Sequence, residues 1–215
     1  LFDKYECDHI VICCEGGSWR KSIYPEYKAN RKVKKLLQTE KEKEQSKYFF
    51  EETDRFITFL KEKTNATVLK AGSIEGDDFV ARWIDTHPDD HHVILSNDGD
   101  FIQLLADNVD IYNSVGKYLL TKDYAINEEG STAYVERVVV ENHNNIKVKI
   151  KKSFPIQVPD PDYELFKKCI RGDAGDNIMS AYPKCREIST KNKVGIKSAY
   201  EDRFNQGIEW NMFML

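Results

Sequence analysis

Nowhere does this sequence carry the roughly twenty consecutive apolar residues that a membrane-crossing helix needs, and its start shows no secretory leader. Its five cysteines (Cys7, Cys13, Cys14, Cys169, Cys185) are odd in number and lack metal-type Cys-x-x-Cys spacing. They read as reduced thiols of an intracellular protein, not as a disulfide frame or a zinc site. The sequon at Asn65 then carries no meaning. No strand-like run is followed by a glycine-rich phosphate loop, which argues against a nucleotide-binding module of metabolism. A calcium loop fails as well: Asp98-Gly-Asp100 has the opening spacing, but the closing bidentate glutamate would fall on Val109. Disorder is excluded, since 40% of the 215 residues are hydrophobic, enough to bury a sizeable core in one domain or in one domain with an appendage.

What is present is charge, and it is unevenly spread. The net charge is only −4, but residues 75–110 hold ten acids (Glu75, Asp77, Asp78, Asp85, Asp89, Asp90, Asp98, Asp100, Asp107, Asp110) against Arg82 alone. Residues 20–47 reverse the balance, with ten Lys or Arg against four Glu. An acidic centre beside a basic segment suits a metal-dependent enzyme with a polyanionic substrate.

The acids also fall where chemistry is usually placed. Apolar runs at 66–70 and 92–96 predict buried strands, and each leads through an acidic turn into a helical pattern. Glu75, Asp77 and Asp78 follow the first run, and Asp98 and Asp100 the second. Open α/β sheets bind their ligands at the carboxyl ends of parallel strands. Five carboxylates at one sheet edge repel one another unless cations neutralise them, and hard oxygen ligands in that number suit Mg2+ or Mn2+. The plainer alternative is that Asp77 and Asp98 cap helix N-termini. Capping accounts for one acid per helix and not for the doublets.

Further strands are expected at 9–14 and 109–112. An amphipathic helix at 49–63 (Phe49, Thr53, Phe56, Ile57, Leu60) is expected to pack on the sheet, and another helix should follow each acid cluster. The order β-α-β-α-β-α-β predicts a parallel sheet covered on both faces. Residues 32–47, poor in apolar side chains, predict a solvated helix held by charge pairs. Residues 133–154 break the rhythm as a β-hairpin around Asn142-His-Asn-Asn145, with Lys147, Lys149 and Lys151 on its wet face. A final helix is expected at 162–171, before a polar, turn-rich stretch at 172–195. His87, His91 and His92 read as a solvated connection on the edge opposite the acids. The chain starts at Leu1 without an initiator Met and stops at Leu215, so it is expected to be a fragment.

Four motifs in order, Tyr24-Pro-Glu-Tyr-Lys-Ala-Asn-Arg31, Glu75-Gly-Asp-Asp78, Ser96-Asn-Asp-Gly-Asp-Phe101 and Arg171-Gly-Asp-Ala-Gly-Asp-Asn177, resemble the 5′-nuclease superfamily. That superfamily includes the 5′→3′ exonuclease domains of bacterial DNA polymerases and the flap endonucleases. The match is nearest to phage 5′-nucleases such as the RNase H of T-even phages, and it covers about residues 11–199. The resemblance implies an α/β fold: a PIN-like, Rossmann-like, mainly parallel sheet with helices on both faces, a helical arch and a C-terminal helix–three-turn–helix. Residues 1–160 would form the nuclease domain, with the arch at about 20–48 and the hairpin as an insertion at about 133–154. Residues 161–215 would form a truncated helical DNA-binding region.

The same resemblance implies metal-dependent, structure-specific hydrolysis of phosphodiesters at 5′ ends, flaps or RNA primers, during replication or repair. Glu75 and Asp77, with Asp78 close by, would hold a first Mg2+ or Mn2+; Asp98, Asp100, Asp173 and Asp176 would hold a second. Two such ions about 4 Å apart can drive an in-line displacement, and no His, Ser or Cys nucleophile is well placed to compete. Asp173 and Asp176 would share one face of a helical turn. Lys28 and Arg31 would contact the scissile phosphate, from one face of a helix beginning within residues 26–30, and Tyr27 would stack on the terminal base. Arg20, Lys34 and Lys35 would add phosphate contacts, and Lys193, Gly195 and Lys197 would belong to the duplex-gripping motif, where the family can hold K+. Partners implied are DNA with 5′ flaps or ends, RNA–DNA hybrids and a replication polymerase or single-strand-binding protein. The setting would be the cytoplasm of a bacterial or phage-infected cell, with the protein a monomer and no membrane involved.

Three departures stand out. The family's first strand, with its early metal-binding Asp, has no counterpart, as expected of an N-terminal truncation. After the next strand the nearest acid is Glu15, a longer ligand in place of an Asp, or no ligand. The glycine-rich hairpin is reduced to Lys193-Val-Gly-Ile-Lys197, after an insertion at 182–191. A relative that binds branched DNA without cleaving it is the alternative these departures keep open.

Overall fold

A three-residue apolar run makes a strand only if turn residues stop it on both sides, and the computed structural model is built from such pieces. It describes residues 5, 7–143, 146–180 and 195–201. The chain divides into two units, residues 1–85 with 165–215, and residues 86–164.

In the first unit, β1 (Val11–Cys13) and β2 (Thr67–Leu69) pair in parallel with Val11 opposite Thr67 and Cys13 opposite Leu69. Between them come α1 (Arg20–Ile23), α2 (Ala29–Leu36) and α3 (Glu40–Lys63), and β2 is followed by α4 (Gly76–Thr86). The C-terminal part contributes α5 (Pro161–Arg171) and α6 (Ile196–Glu201). Phe166 and Ile170 of α5 and Ile196 and Ala199 of α6 are buried, and the Phe166 ring meets Tyr200 at 5.4 Å between centroids. The described cysteines Cys7, Cys13, Cys14 and Cys169 are free thiols; burial, with Cys14 adjacent, pushes Cys13 up to about 11.

In the second unit, β3 (His92–Leu95) and β4 (Val109–Asn113) pair in parallel, and β5 (Tyr118–Leu120) and β6 (Ala125–Asn127) extend the sheet antiparallel in the order β3-β4-β5-β6. Val109, Ile111, Leu120, Ala125 and Ala133 form its core. β7 (Tyr134–His143) and β8 (Ile146–Pro155) pair from Tyr134 opposite Pro155 to His143 opposite Ile146, which matches the expected hairpin to within a residue.

The fold differs from expectation in two respects. Parallel pairs are present, but the described strands form three separate sheets, and β5 and β6 were not anticipated. They are too short for a period-2 pattern to show. Each follows a tight turn: before β5 the Asn113 side chain accepts from Gly116 N–H at 2.6 Å and Lys117 adopts φ 53°, and before β6 Thr121 N–H donates to Tyr124 O at 2.9 Å. The second difference is α3. Residues 32–47 and 49–63 were expected as two helices, but the break falls earlier, at Thr39. Its hydroxyl accepts from Glu42 N–H at 3.3 Å while the Glu42 carboxylate accepts from Thr39 N–H at 2.7 Å, a capping box that starts a continuous 24-residue helix. Nor does the whole apolar stripe pack on the sheet: Thr53, Ile57 and Leu60 are half-buried, whereas Phe49 and Phe56 are 65% and 59% exposed. No described helix is long and apolar enough to cross a membrane.

Phe166 has no exposed surface, so Phe166→Ala should cost about 3–5 kcal/mol. A fall in the denaturant midpoint at unchanged slope would show it.

Candidate metal centre

β2 ends at Leu69, and the turn that follows delivers Glu75 to the start of α4. There the Asp78 carboxylate accepts from Glu75 N–H at 3.3 Å and the Asp77 carboxylate from Asp78 N–H at 2.8 Å. Acids in the first turn of a helix are favoured by its dipole. One oxygen from each of Glu75, Asp77 and Asp78 lies within 4.8 Å of the others. Gly76 lets this helix start close to β1, since a Cβ there would lie 3.2 Å from Cys13 O. Glu15, just beyond β1, reaches the same end: its carboxylate accepts from Gly76 N–H at 3.4 Å.

Glu75 is only 3% exposed. A buried carboxylate needs partners, and these come from residues 18–28. Its Oε2 accepts from Ser18 at 2.8 Å, Arg20 at 2.8 Å and Tyr27 at 3.1 Å, and its Oε1 is paired with the Lys28 ammonium. Arg20 also forks onto both oxygens of Asp78, at 2.7 and 3.0 Å. Trp19 donates to Asp78 at 3.2 Å and lies against the Arg20 guanidinium. Burial alone would raise the pKa of Glu75 and Asp78; hydrogen bonds from Lys28 and Ser18 to Glu75, and from Arg20 to Asp78, overcome it and lower both. Burial likewise opposes the Lys28 cation, but bonding to Glu75 and Tyr27 and the nearby Asp176 charge raise its pKa.

Asp176 arrives from the turn after α5. It does not share a helical face with Asp173. Asp173 and Ile178 instead exchange backbone hydrogen bonds at 2.8 and 2.7 Å across the turn, and Asn177 takes φ 60°. Asp173 Oδ1 accepts from Gly175 and Asp176 N–H at 2.7 and 3.2 Å, which ties it to its own turn. The turn is docked on the 24–31 segment, where Asn30 donates to Ala174 O at 2.8 Å and Asn177 to Glu26 O at 2.9 Å. Asp176 thereby meets Tyr27 at 3.1 Å, Lys28 at 3.7 Å and Arg31 at 2.7 Å.

Lys28 and Arg31 do converge on one acceptor, but not from a shared helix face. Lys28 precedes α2 with φ 55°, and its N–H is fixed by Asp176 O at 2.8 Å. Tyr27 is 6% exposed, so no open ring face is left for a stacking base; its hydroxyl joins Glu75 to Asp176, and burial pushes its pKa up to about 12.

In the second unit, Asp98 and Asp100 follow β3. Asp98 caps the 3-10 helix Gly99–Leu104 by accepting from Asp100 N–H at 3.0 Å, so the plainer role foreseen for Asp98 is real. Asp77, in contrast, lies inside its helix. Lys34 and Lys35 are exposed on α2. Gly195 is buried before α6, and Lys197 is exposed on α6, 3.8 Å from Glu201. Lys193 and the 182–191 insertion lie outside the described residues, as does any K+ site there. Ser18, Trp19, Asn30 and Asn177 were not singled out as site residues, although Asn30 and Asn177 stand within two of the four motifs.

A family model described as 5′-3′ exonuclease, N-terminal resolvase-like domain, matches residues 1–138. The flap endonuclease of Escherichia phage T5 is 30% identical over 177 residues, covering 79% of this chain and 49% of that protein. The chain thus spans about half the length of this curated relative. Among solved structures, a phage T5 protein co-crystallised with metal ions aligns with TM-score 0.64 at 23% identity, over 96% of this chain and 64% of the other. A phage T5 flap endonuclease in a pseudo-enzyme–product complex with DNA and metal ions aligns with TM-score 0.62 at 21% identity, over 96% and 63%. Zinc-bound phage T5 5′-exonuclease gives 0.63 at 23% identity, again over 96% and 63%. These structural likenesses establish the fold.

Because Glu75 and Asp78 have lowered pKa values, the stability they contribute is fully present above the ordinary carboxylate range, about 3.9–4.3. It is lost as pH falls through their lower folded values. Glu75→Gln should therefore flatten the acid limb of Tm against pH in metal-free buffer.

Proposed function

This chain belongs to the 5′-3′ exonuclease family through its N-terminal resolvase-like domain, and from that membership we propose that it is a divalent-metal-dependent, structure-specific 5′-nuclease. It hydrolyses phosphodiesters at 5′ ends and flaps of DNA, or at RNA primers in RNA–DNA hybrids, in phage replication or repair. A replication polymerase or single-strand-binding protein is its partner. The observation that carries this reading is the meeting of the close-set carboxylates Glu75, Asp77 and Asp78 with the cations Arg20 and Lys28 of the basic segment.

The donor set fits Mg2+ or Mn2+, being all oxygen, carboxylate-rich and close enough for one ion. Glu75, Asp77 and Asp78 would hold the first ion, with Glu15 adjoining; a second is assigned to Asp98, Asp100, Asp173 and Asp176 by the family resemblance alone. When bound, such ions supply an activated water and a stabilised leaving oxygen.

The chain's own residues do the rest. Lys28 and Arg31 already aim at a single acceptor, Asp176, and a phosphate oxygen near it meets the same two donors. Charge placed where the transition state gains charge acts on the chemical step more than on binding. Tyr27, protonated at neutral pH, holds Glu75 and Asp176 at fixed separation. Arg20, Lys34 and Lys35, with Lys193, Gly195 and Lys197, attract and position the backbone. The alternative, a relative that binds branched DNA without cleaving it, is favoured by the full engagement of Glu75 and Asp78 by Lys28 and Arg20.

Single-turnover cleavage of a 5′-flap duplex in Mg2+ separates the two. Asp77→Asn and Asp100→Ala should abolish cleavage. Lys28→Ala and Arg31→Ala should each slow it by on the order of a hundredfold with a far smaller loss of DNA affinity, and Lys34→Ala should cost only a fraction of that. Equal effects from all three would make the basic segment a diffuse surface, and a wild-type protein that binds flaps but never cleaves them would establish the alternative. Binding should weaken steeply with salt and show little sequence preference.

A further inference from the structure

The cations that the proposed reaction directs at phosphate are engaged by the carboxylates that it directs at metal. Each oxygen of Glu75 already accepts from a cation: Oε1 from Lys28 and Oε2 from Arg20. Both oxygens of Asp78 accept from Arg20. In the close-set trio, Asp77 is the acid for which the structure gives a backbone donor, Asp78 N–H, rather than a cation. Around Glu75, Arg20, Lys28 and Arg31 stand against Glu75, Asp78 and Asp176, with Asp77 and Glu15 as further acids at the same end. A divalent ion added without any displacement would find the oxygens of Glu75 and Asp78 taken and two cations facing it at close range.

The cations differ in how they are held. Arg31 is 59% exposed along its side chain and touches Asp176, whereas the Lys28 side chain is 13% exposed and 3.7 Å from Asp176 as well as paired with Glu75. Lys28 is also kept in a left-handed conformation, uncommon for lysine, by its N–H bond to Asp176 O. Arg20 belongs to a helix of only four residues. Both are therefore mounted on short local structure, from which a side chain can swing without unfolding a long element.

We propose that Arg20 and Lys28 are resident counter-ions of the metal centre: they occupy the ion's oxygens in the free protein and pass to the DNA backbone when the ion binds. Metal and DNA then tighten each other's binding reciprocally, because each removes the other's competitor. This rests on the proposed nuclease function, and it adds a role for Arg20 and Lys28 before any chemistry.

The test is Mn2+ binding without DNA, by calorimetry and by the rise in Tm on adding the ion. Lys28→Met and Arg20→Gln should each bind Mn2+ about five- to tenfold tighter than wild type, although Lys28→Met cleaves more slowly, and should show the larger Tm rise. Lys34→Met, the same charge deletion on exposed α2, should stay within about twofold. Equal or weaker binding by the first two, or an equal gain by Lys34→Met, overturns the proposal. In Asp100→Ala, where added 5′-flap duplex stays uncleaved, the duplex should tighten Mn2+ binding by a similar factor. That measurement decides the matter even if both substitutions at the cluster prevent folding, since absence of coupling overturns the proposal too. Failure of the nuclease reading looks different: wild type would then bind the 5′-flap duplex without ever cleaving it in Mg2+, whatever the order of Mn2+ affinities.

Discussion

A carboxylate shut off from water has to be answered by positive charge or by hydrogen bonds, and Glu75 is the place where this chain meets that demand. Its two oxygens gather Ser18, Arg20, Tyr27 and Lys28. That requirement pins the segment after β1 against the start of α4 and, through Tyr27 and Asp176, draws in the turn after α5. Breaking such a set by removing one partner strands the others, which is why pieces so short can be held so definitely.

The backbone serves the same end. β1 and β2 are three residues each, too short to stabilise much by pairing, yet parallel alignment places both exits together. Gly16 lies against Ala71 O, where a side chain would collide, and Gly17 N–H donates to Gly72 O at 2.9 Å. Close-running turns thus bring Ser18 to Glu75 and Glu15 to the Gly76 N–H beside it. On the far side of α2 the constraint relaxes: α3 is launched by its own capping box at Thr39 and leaves Phe49 and Phe56 in solvent.

Local patterns alone were enough to place the acids at strand ends and, to within a residue, the hairpin expected at 133–154 and the helix expected at 162–171, because each depends on periodicity or on a neighbouring turn residue. The four ordered motifs sufficed for the family, which the match over residues 1–138 bears out. What went unread was either very short, like β5 and β6, or misassigned between adjacent signals, like the helix break at Thr39.

The sequence by itself determined which residue types were available: an acidic trio at a helix start, a basic run before it, and a lone Asp-containing turn near residue 176. Only the tertiary structure decided that they would meet. Tyr27 is buried because Glu75 and Asp176 lie 48 and 149 residues away along the chain and close in space, and no local propensity encodes that. The same holds for Lys28: its charge is legible in the sequence, but its left-handed backbone is set by a carbonyl from residue 176. Charge is a property of a residue, whereas neutralisation is a property of a place, and the fold chooses the place.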